Sequence, residues 1–324
     1  MAFGFWPLLQ AGAREGRDQT WVACHPLSEP CQCRGPRHRF QPFATGAAAA
    51  EPDRIHSPLA PPGSFVMPSS RQTPAATAKK PTSTSRPPHR PLGAHQSIAG
   101  GFCRAVERAI DTGCECLQVF TRNINRWDTK PIDPAEAEAF RAAVAAAGLA
   151  PVVAHNSYLI NPASADPELR NRSIDGLVVE LERAELLGIP WVVAHPGAAG
   201  SSDRDEAVVR AAEGFRDALA KTPKMQAGLL IETTAGQGSC LGHTFEEIAA
   251  MLSIIDRRAS LKKRIGVCLD TCHVFAAGYP LAPARALEET LDAFDTAIGL
   301  DRLVVIHAND SKKPCGSRVD RHEA

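Results

Sequence analysis

The sequence predicts an α/β fold of the (β/α)8 TIM-barrel type, lacking its last β/α unit and preceded by a disordered N-terminal tail. Three observations predict it. Short apolar runs rich in β-branched residues alternate with longer Ala/Glu/Arg-rich stretches through residues 93–324, as strands buried on both faces alternate with crossover helices. Seven such runs stand in one series. Five of them deliver a His, Glu or Asp at the C-terminal end, at intervals of 40, 37, 38 and 37 residues, one βα unit each. A doubly wound open sheet is the second choice, weakened because no G-x-G-x-x-G follows any run.

The chain divides at residue 92. Of 324 residues, 36 are Lys or Arg and 36 are Asp or Glu, so the formal charge is zero. Residues 1–92 nevertheless hold 11 basic and 5 acidic side chains and 15 of the 26 prolines, and residues 93–324 carry a net charge of −6. A Pro/Ser/Thr/Ala-rich segment without apolar period cannot offset its ordering entropy, so the tail is expected to be disordered. Its readings stay open: a solvated linker, an organelle transit peptide, a nuclear signal around Lys79-Lys80-Pro81, or a zinc knuckle from Cys24, Cys31, Cys33, His25 and His38, whose spacing fits no standard finger. No run reaches the roughly 18 apolar residues of a membrane span, and no membrane or protein partner is expected. Ten cysteines are too sparse for a disulfide scaffold and read as thiols in a reducing compartment. The expected location is intracellular: nucleus, mitochondrion or plastid.

In chain order, the runs begin with Leu92-Gly93-Ala94-His95 and continue with 116–120, 151–154, 191–194, 228–231, 265–269 and 303–306. They are too short for helices. Between them, helices are expected over 101–113, 134–147, 167–187, 204–221, 244–258 and 284–299. Leu177, Leu181, Ala184 and Leu187 keep the three-to-four spacing of one buried face. Gly113, Gly148 and Gly188 stand where helix C-caps belong.

Residues His155, His195, Glu232, Asp270 and His307 each end a run. In a barrel those ends converge on one mouth, where barrel enzymes keep their chemistry. His273, three after Asp270, and the pair Asp320 and His322, two apart in an extended stretch, extend the set to five imidazoles and three carboxylates. One His after a strand is most often a hydrogen-bonded core residue. Eight polar residues converging without a cation would repel and lack partners. Mixed His and carboxylate ligation without obligatory thiolate suits Zn2+, with Mn2+ or Fe2+ as alternatives, and eight ligands imply two or three ions. Cys268 reads as strand packing, and Cys272 is left open. Several close cations suit phosphodiester hydrolysis. A metal-dependent sugar isomerase or epimerase on the same barrel is the rival, and a non-catalytic lesion-binding remnant is a third reading.

The blocks Gly93-Ala94-His95-Gln96-Ser97, His155-Asn156-Ser157-Tyr158-Leu159-Ile160-Asn161, Ala194-His195-Pro196-Gly197, Glu232-Thr233-Thr234-Ala235-Gly236-Gln237-Gly238, Asp270-Thr271-Cys272-His273 and Gly316-Ser317-Arg318-Val319-Asp320-Arg321-His322 resemble the signature of endonuclease IV, the zinc-dependent apurinic/apyrimidinic (AP) endonucleases of base-excision DNA repair. The resemblance covers essentially all of 93–323. It implies three zinc ions: one on His155, His195 and Glu232; a second on the bridging Glu232 with Asp270 and His307; a third on His273, Asp320 and His322. It implies cleavage of double-stranded DNA 5′ to an abasic site by a hydroxide held between the first two ions, leaving a 3′-hydroxyl and a 5′-deoxyribose phosphate, with Glu232 catalytic. Such enzymes extrude the abasic nucleotide, and Tyr158 and Leu159 look like the family's wedge. Asn123, Asn125, Arg126 and Trp127 would probe the backbone, Arg318 and Arg321 would meet phosphate or orient carboxylates, and His95 would sit behind the ligands without touching metal.

Two departures qualify the resemblance. Thr233 stands where the family usually has Asn. One further ~37-residue unit after His307 would end near residue ~344, beyond the 324 residues given. The expectation is therefore an unclosed barrel with edges at the first and seventh strands, no counterpart of a further Glu ligand, a weakly held second ion, and weak or no activity in this chain.

Overall fold

A computed structural model describes residues 90–323. The tail readings, including the Cys/His knuckle and the Lys79-Lys80 signal, lie outside the described residues.

The architecture is a TIM-barrel sheet with helices on its outer face. Seven strands, β1 (Gly93–Gln96), β2 (Cys116–Phe120), β3 (Val152–His155), β4 (Trp191–Ala194), β5 (Gly228–Glu232), β6 (Ile265–Asp270) and β7 (Leu303–His307), lie side by side in chain order. Every neighbouring pair is parallel. Among the described residues, β1 and β7 each have one strand neighbour. The crossover helices are α1 (Phe102–Asp111), α2 (Pro134–Ala147), α3 (Pro167–Leu187), α4 (Arg204–Lys221), α5 (Phe245–Asp256) and α7 (Ala284–Ala297). Among the described residues, no helix is long and apolar enough to cross a membrane, and none of the seven cysteines is in a disulfide.

Local chemistry sets the helix ends. Asp133, Asp166, Asp203 and Thr244 accept a hydrogen bond from the first turns of α2, α3, α4 and α5, which satisfies amides that have no helical partner. Gly148 and Gly188 take left-handed φ of 65° and 71° just after α2 and α3, as expected of helix-ending glycines. Gly113 differs: α1 ends at Asp111 and Thr112 is its cap. The Thr112 hydroxyl donates to the carbonyls of Arg108 and Ala109, so the helix closes one residue earlier.

A seven-residue helix, α6 (Thr271–Ala277), was not expected. It starts directly at the end of β6, capped by Asp270, whose carboxylate accepts from the His273 amide at 3.0 Å. Seven residues carry too little apolar period to announce themselves. A two-stranded antiparallel ribbon, β8 (Asp310–Ser311) with β9 (His322–Glu323), closes the described chain.

The core has two parts. The larger lies between strands and helices, where Phe140, Phe215, Phe245 and Phe294 are fully buried; each such side chain contributes about 1.5–3 kcal/mol. The smaller fills the barrel: Cys116, Val153, Val193, Leu230, Cys268 and Val305, one from each of β2 to β7. Side chains alternate faces along a strand. The residue two positions after each of these six also points inward, one level nearer the C-terminal mouth. Those residues are Gln118, His155, His195, Glu232, Asp270 and His307.

Candidate metal centre

Glu232 is the hub. Its carboxylate is almost fully buried and faces three imidazoles: His155 Nε2 at 3.1 Å, His195 Nε2 at 2.9 Å and His307 Nδ1 at 2.8 Å. Beside it, Asp270 Oδ2 lies 3.7 Å from His307 Nδ1. His273 Nδ1 is 3.7 Å from Glu232 and 3.9 Å from Asp270, while its Nε2 faces Asp320 at 3.3 Å. His322 Nε2 is 3.3 Å from Asp320 and 4.0 Å from Asp270. All eight residues singled out by the sequence therefore gather in one place. Among the described residues, five groups have ligand atoms within 4.8 Å of one another: His155, His195 and Glu232; His273, Asp320 and His322; Glu232, Asp270 and His273; Glu232, Cys268 and His307; and Asp270, Cys272 and His322. The first and second are sets the sequence predicts, whereas in the third His273 stands beside Glu232 and Asp270 where His307 was expected.

Exposure grades across the cage. Glu232 and Asp270 side chains are 2% and 1% exposed, against 32% for His195 and 41% for Asp320. One flank thus opens to solvent and the hub does not. Tyr158, 60% exposed, covers the open flank with its ring 5.4 Å from that of His155 and 6.0 Å from that of His195.

Backbone and side-chain partners orient the rings. His155 Nδ1 pairs with the carbonyl of Asn156 at 2.9 Å and His273 Nδ1 with that of Thr233 at 2.8 Å, so in both Nε2 is the nitrogen turned to the neighbouring carboxylates. Thr233, the departure from the resembled pattern, also accepts the Asp270 amide through its hydroxyl at 2.9 Å. Asn309 Nδ2 donates to Asp270 Oδ2 at 2.6 Å. Gln237 accepts the Asp320 amide at 2.9 Å. His307 Nε2 bonds Gln118 Oε1 at 2.9 Å, and Gln118 Nε2 bonds His95 Nδ1 at 3.0 Å.

The electrostatics call for positive charge. Burial alone would raise Glu232, yet the imidazoles of His195, His307 and His155 hold it well below the usual carboxylate range. Burial would lower His273, but Asp270, Asp320 and Glu232 push it up to about 10. A hydrogen bond from His273 lowers Asp320. His95 goes the other way: burial, with His155 and His307 nearby, pushes it down to about 3.

These residues fit divalent cations. With Nε2 of His307 as donor to Gln118, its Nδ1 is a lone pair set 2.8 Å from a carboxylate oxygen, a contact that needs a proton or a cation. His322 Nε2 is buried with no hydrogen-bond partner. The donors are nitrogen and oxygen, the set that Zn2+ accepts. Cys268 and Cys272 also lie within reach of such groups. Cys268 belongs to the barrel filling, and burial together with Asp270 pushes the Cys272 thiol up to about 11.

The remaining expected residues lie around the mouth. Asn125 and Arg126 are exposed on the β2 loop. Trp127 does not point out as a probe: it packs against the core, with the Arg172 guanidinium 4.7 Å over its ring. Arg318 and Arg321 are exposed, and Arg321 donates to the Asp320 carbonyl. Arg318 holds a left-handed φ of 53°. Tyr158 and Leu159 sit on the β3 loop, tied to the β2 loop by Ser157 Oγ donating to the Ile124 carbonyl at 2.6 Å.

Sequence reasoning missed Gln118, Asn309, Gln237 and the carbonyl of Thr233. Gln118 carried a usable signal, since it stands two residues after the inward Cys116, as each ligand stands after its own interior residue.

Residues 106–324 match a family described as Xylose isomerase-like TIM barrel. A probable endonuclease 4 of Geobacter sp. (strain M21) is 43% identical over 232 residues, covering 72% of this chain and 81% of the relative. The crystal structure of endonuclease IV from Thermus thermophilus is similar with a TM-score of 0.62 at 41% identity, covering 71% of this chain and 80% of that one. A D-tagatose 3-epimerase-like protein shares the fold alone, with a TM-score of 0.53 at 18% identity over 67% of this chain and 75% of that one.

Proposed function

This chain belongs to the endonuclease IV family, and from that premise we propose that it is an AP endonuclease, hydrolysing the phosphodiester 5′ to an abasic site in double-stranded DNA to leave a 3′-hydroxyl and a 5′-deoxyribose phosphate. The observation that carries the reading is the buried Glu232 carboxylate within 3.1 Å of three imidazoles, beside a second, more open group of His273, Asp320 and His322.

His155, His195 and Glu232 would hold one cation, Glu232, Asp270 and His307 a second, and His273, Asp320 and His322 a third, with zinc the best match to the donor set. Bound cations supply Lewis-acid activation of water and positive charge for the phosphate and the departing oxygen. The protein's own residues do the rest. Glu232 would serve both of the first two cations, and it keeps its charge because three imidazoles oppose its protonation. The carbonyls of Asn156 and Thr233 fix two rings. Tyr158, exposed above the cage, and Leu159 beside it would fill the gap left by an extruded nucleotide. Asn125, Arg126, Arg318 and Arg321 ring the mouth and would contact the backbone. The net charge of −6 over residues 93–324 disfavours a broad phosphate-binding face, and bound cations would concentrate positive potential at the mouth.

The test is a duplex with one abasic analogue, incubated with the chain with and without a chelator. A single chelator-sensitive nick leaving a 3′-hydroxyl is expected, and Glu232→Ala should abolish it while binding persists. Turnover of a ketose without nicking would replace the reading with an epimerase. Lesion binding with no cleavage after Zn2+ addition would replace it with a non-catalytic binder. Nicking that survives Glu232→Ala would remove Glu232 from the chemistry.

A further inference from the structure

We propose that Gln118 is the positioning residue for His307: its amide, held at the far end by His95, fixes the His307 tautomer whose Nδ1 lone pair faces the pocket of Glu232 and Asp270.

Gln118 is 2% exposed and belongs to β2, whereas His307 ends β7, 189 residues away. Its amide oxygen can only accept and its amide nitrogen can only donate. His307 Nε2, 2.9 Å from that oxygen, therefore carries a proton, so in the neutral ring Nδ1 is the free nitrogen, and any second proton on Nδ1 is the one a cation would displace. Nδ1 lies 2.8 Å from Glu232 Oε1 and 3.7 Å from Asp270 Oδ2, so it faces both carboxylates. Turning the amide over would reverse the roles. Nε2 would accept, Nδ1 would gain the proton, and the ring would donate to Glu232 and close the pocket to a cation.

His95 holds the amide against that reversal. Gln118 Nε2 donates to His95 Nδ1 at 3.0 Å, so the proton of neutral His95 sits on Nε2, an atom buried with no hydrogen-bond partner. A flipped amide would require both imidazoles to move their protons together. His95 also packs on Phe120, with ring centroids 4.3 Å apart, which fixes the far end of the relay. Neither His95 nor Gln118 comes within the ligand groups. They act through His307.

The inference rests on the cation cage proposed above, and the experiment separates the two. Zn2+ is titrated into the full chain against a chromophoric chelator, and His307 is followed by two-bond 1H–15N correlations. Wild-type binding of Zn2+ tests the cage by itself, whatever the substrate. With Zn2+ bound, His307 should carry its proton on Nε2; a proton on Nδ1 overturns the proposal without any variant. Gln118→Met should weaken one Zn2+ equivalent by about 10–100-fold, the usual effect of removing a partner behind a ligand. The equivalent at His273, Asp320 and His322 should stay. Gln118→Glu, which still accepts from Nε2, should restore the loss. Zn2+ affinity unchanged in the Met variant, or equally weak in the Glu variant, overturns the role.

Discussion

Replacing Glu180 with Gln should both soften the domain and loosen the loops beside the cage. Glu180 sits in α3 and Arg122 just after β2, yet their side chains are 1% and 3% exposed and meet at 2.7 Å. The carboxylate also accepts from Thr121 Oγ1 at 2.5 Å and from the Ser157 amide at 3.2 Å. Arg122 in turn donates to the Trp127 carbonyl at 3.0 Å. One buried ion pair thus ties the β2 loop, with Asn125 and Arg126, to the β3 loop, with Tyr158 and Leu159. Glu180→Gln leaves the guanidinium buried without an opposing charge, which costs about 3–5 kcal/mol. For a domain of this size that lowers Tm by roughly 6–20 °C. Thermal unfolding in chelator measures it free of cation effects, and a drop below about 2 °C would refute the argument. Glu180→Leu combined with Arg122→Met should regain most of the stability, because apolar replacement of a buried pair is often neutral. It restores none of the loop hydrogen bonds, so affinity for a duplex with an abasic analogue should stay low.

Two other perturbations probe the frame. Glu247 is held from its usual 4.5 down to about 2: burial opposes this, and bonds from His243, Arg204 and the Gly242 amide overcome it. A lowered carboxylate stabilises the fold above its unfolded pKa, so this contribution, at most about 3 kcal/mol, is present above pH 4.5 and lost as pH falls toward 2. Acid unfolding of Glu247→Gln against wild type should show the difference vanish over that window. Gly197→Ala should displace the loop that follows His195, because φ is +96° and a Cβ would lie 2.1 Å from Asn161 Oδ1. That side chain bonds both the amide and the carbonyl of Ala198. A loss of about 2 kcal/mol or more is expected in urea unfolding, with weaker Zn2+ binding at His155, His195 and Glu232.

Much of the fold was legible because it depends on local periods. Helices α2, α3 and α4 start and stop where Asp, Pro, Gly or a change of pattern dictates, and strand order follows from short βα connections. The ligands were legible for a related reason. A strand fixes side-chain direction with a period of two, so a polar residue just past an apolar run must lie at the mouth. Helix α6 and the role of Trp127 were not legible, since seven residues carry no readable period and an aromatic in a loop shows its face only once α3 packs against it.

By itself the sequence determined that eight ligand-type side chains stand at the ends of consecutive parallel strands or just beyond them. Only the tertiary structure decided which atoms of those side chains meet. Glu232 touches His155 and His307 from 77 and 75 residues away, Asn309 reaches Asp270 across 39, and Gln118 reaches His307 across 189. The physical reason is the curvature of the sheet. Pleat and spacing set direction along each strand, but the bend of the sheet brings distant strands within hydrogen-bond range, and no local period in the chain encodes that distance.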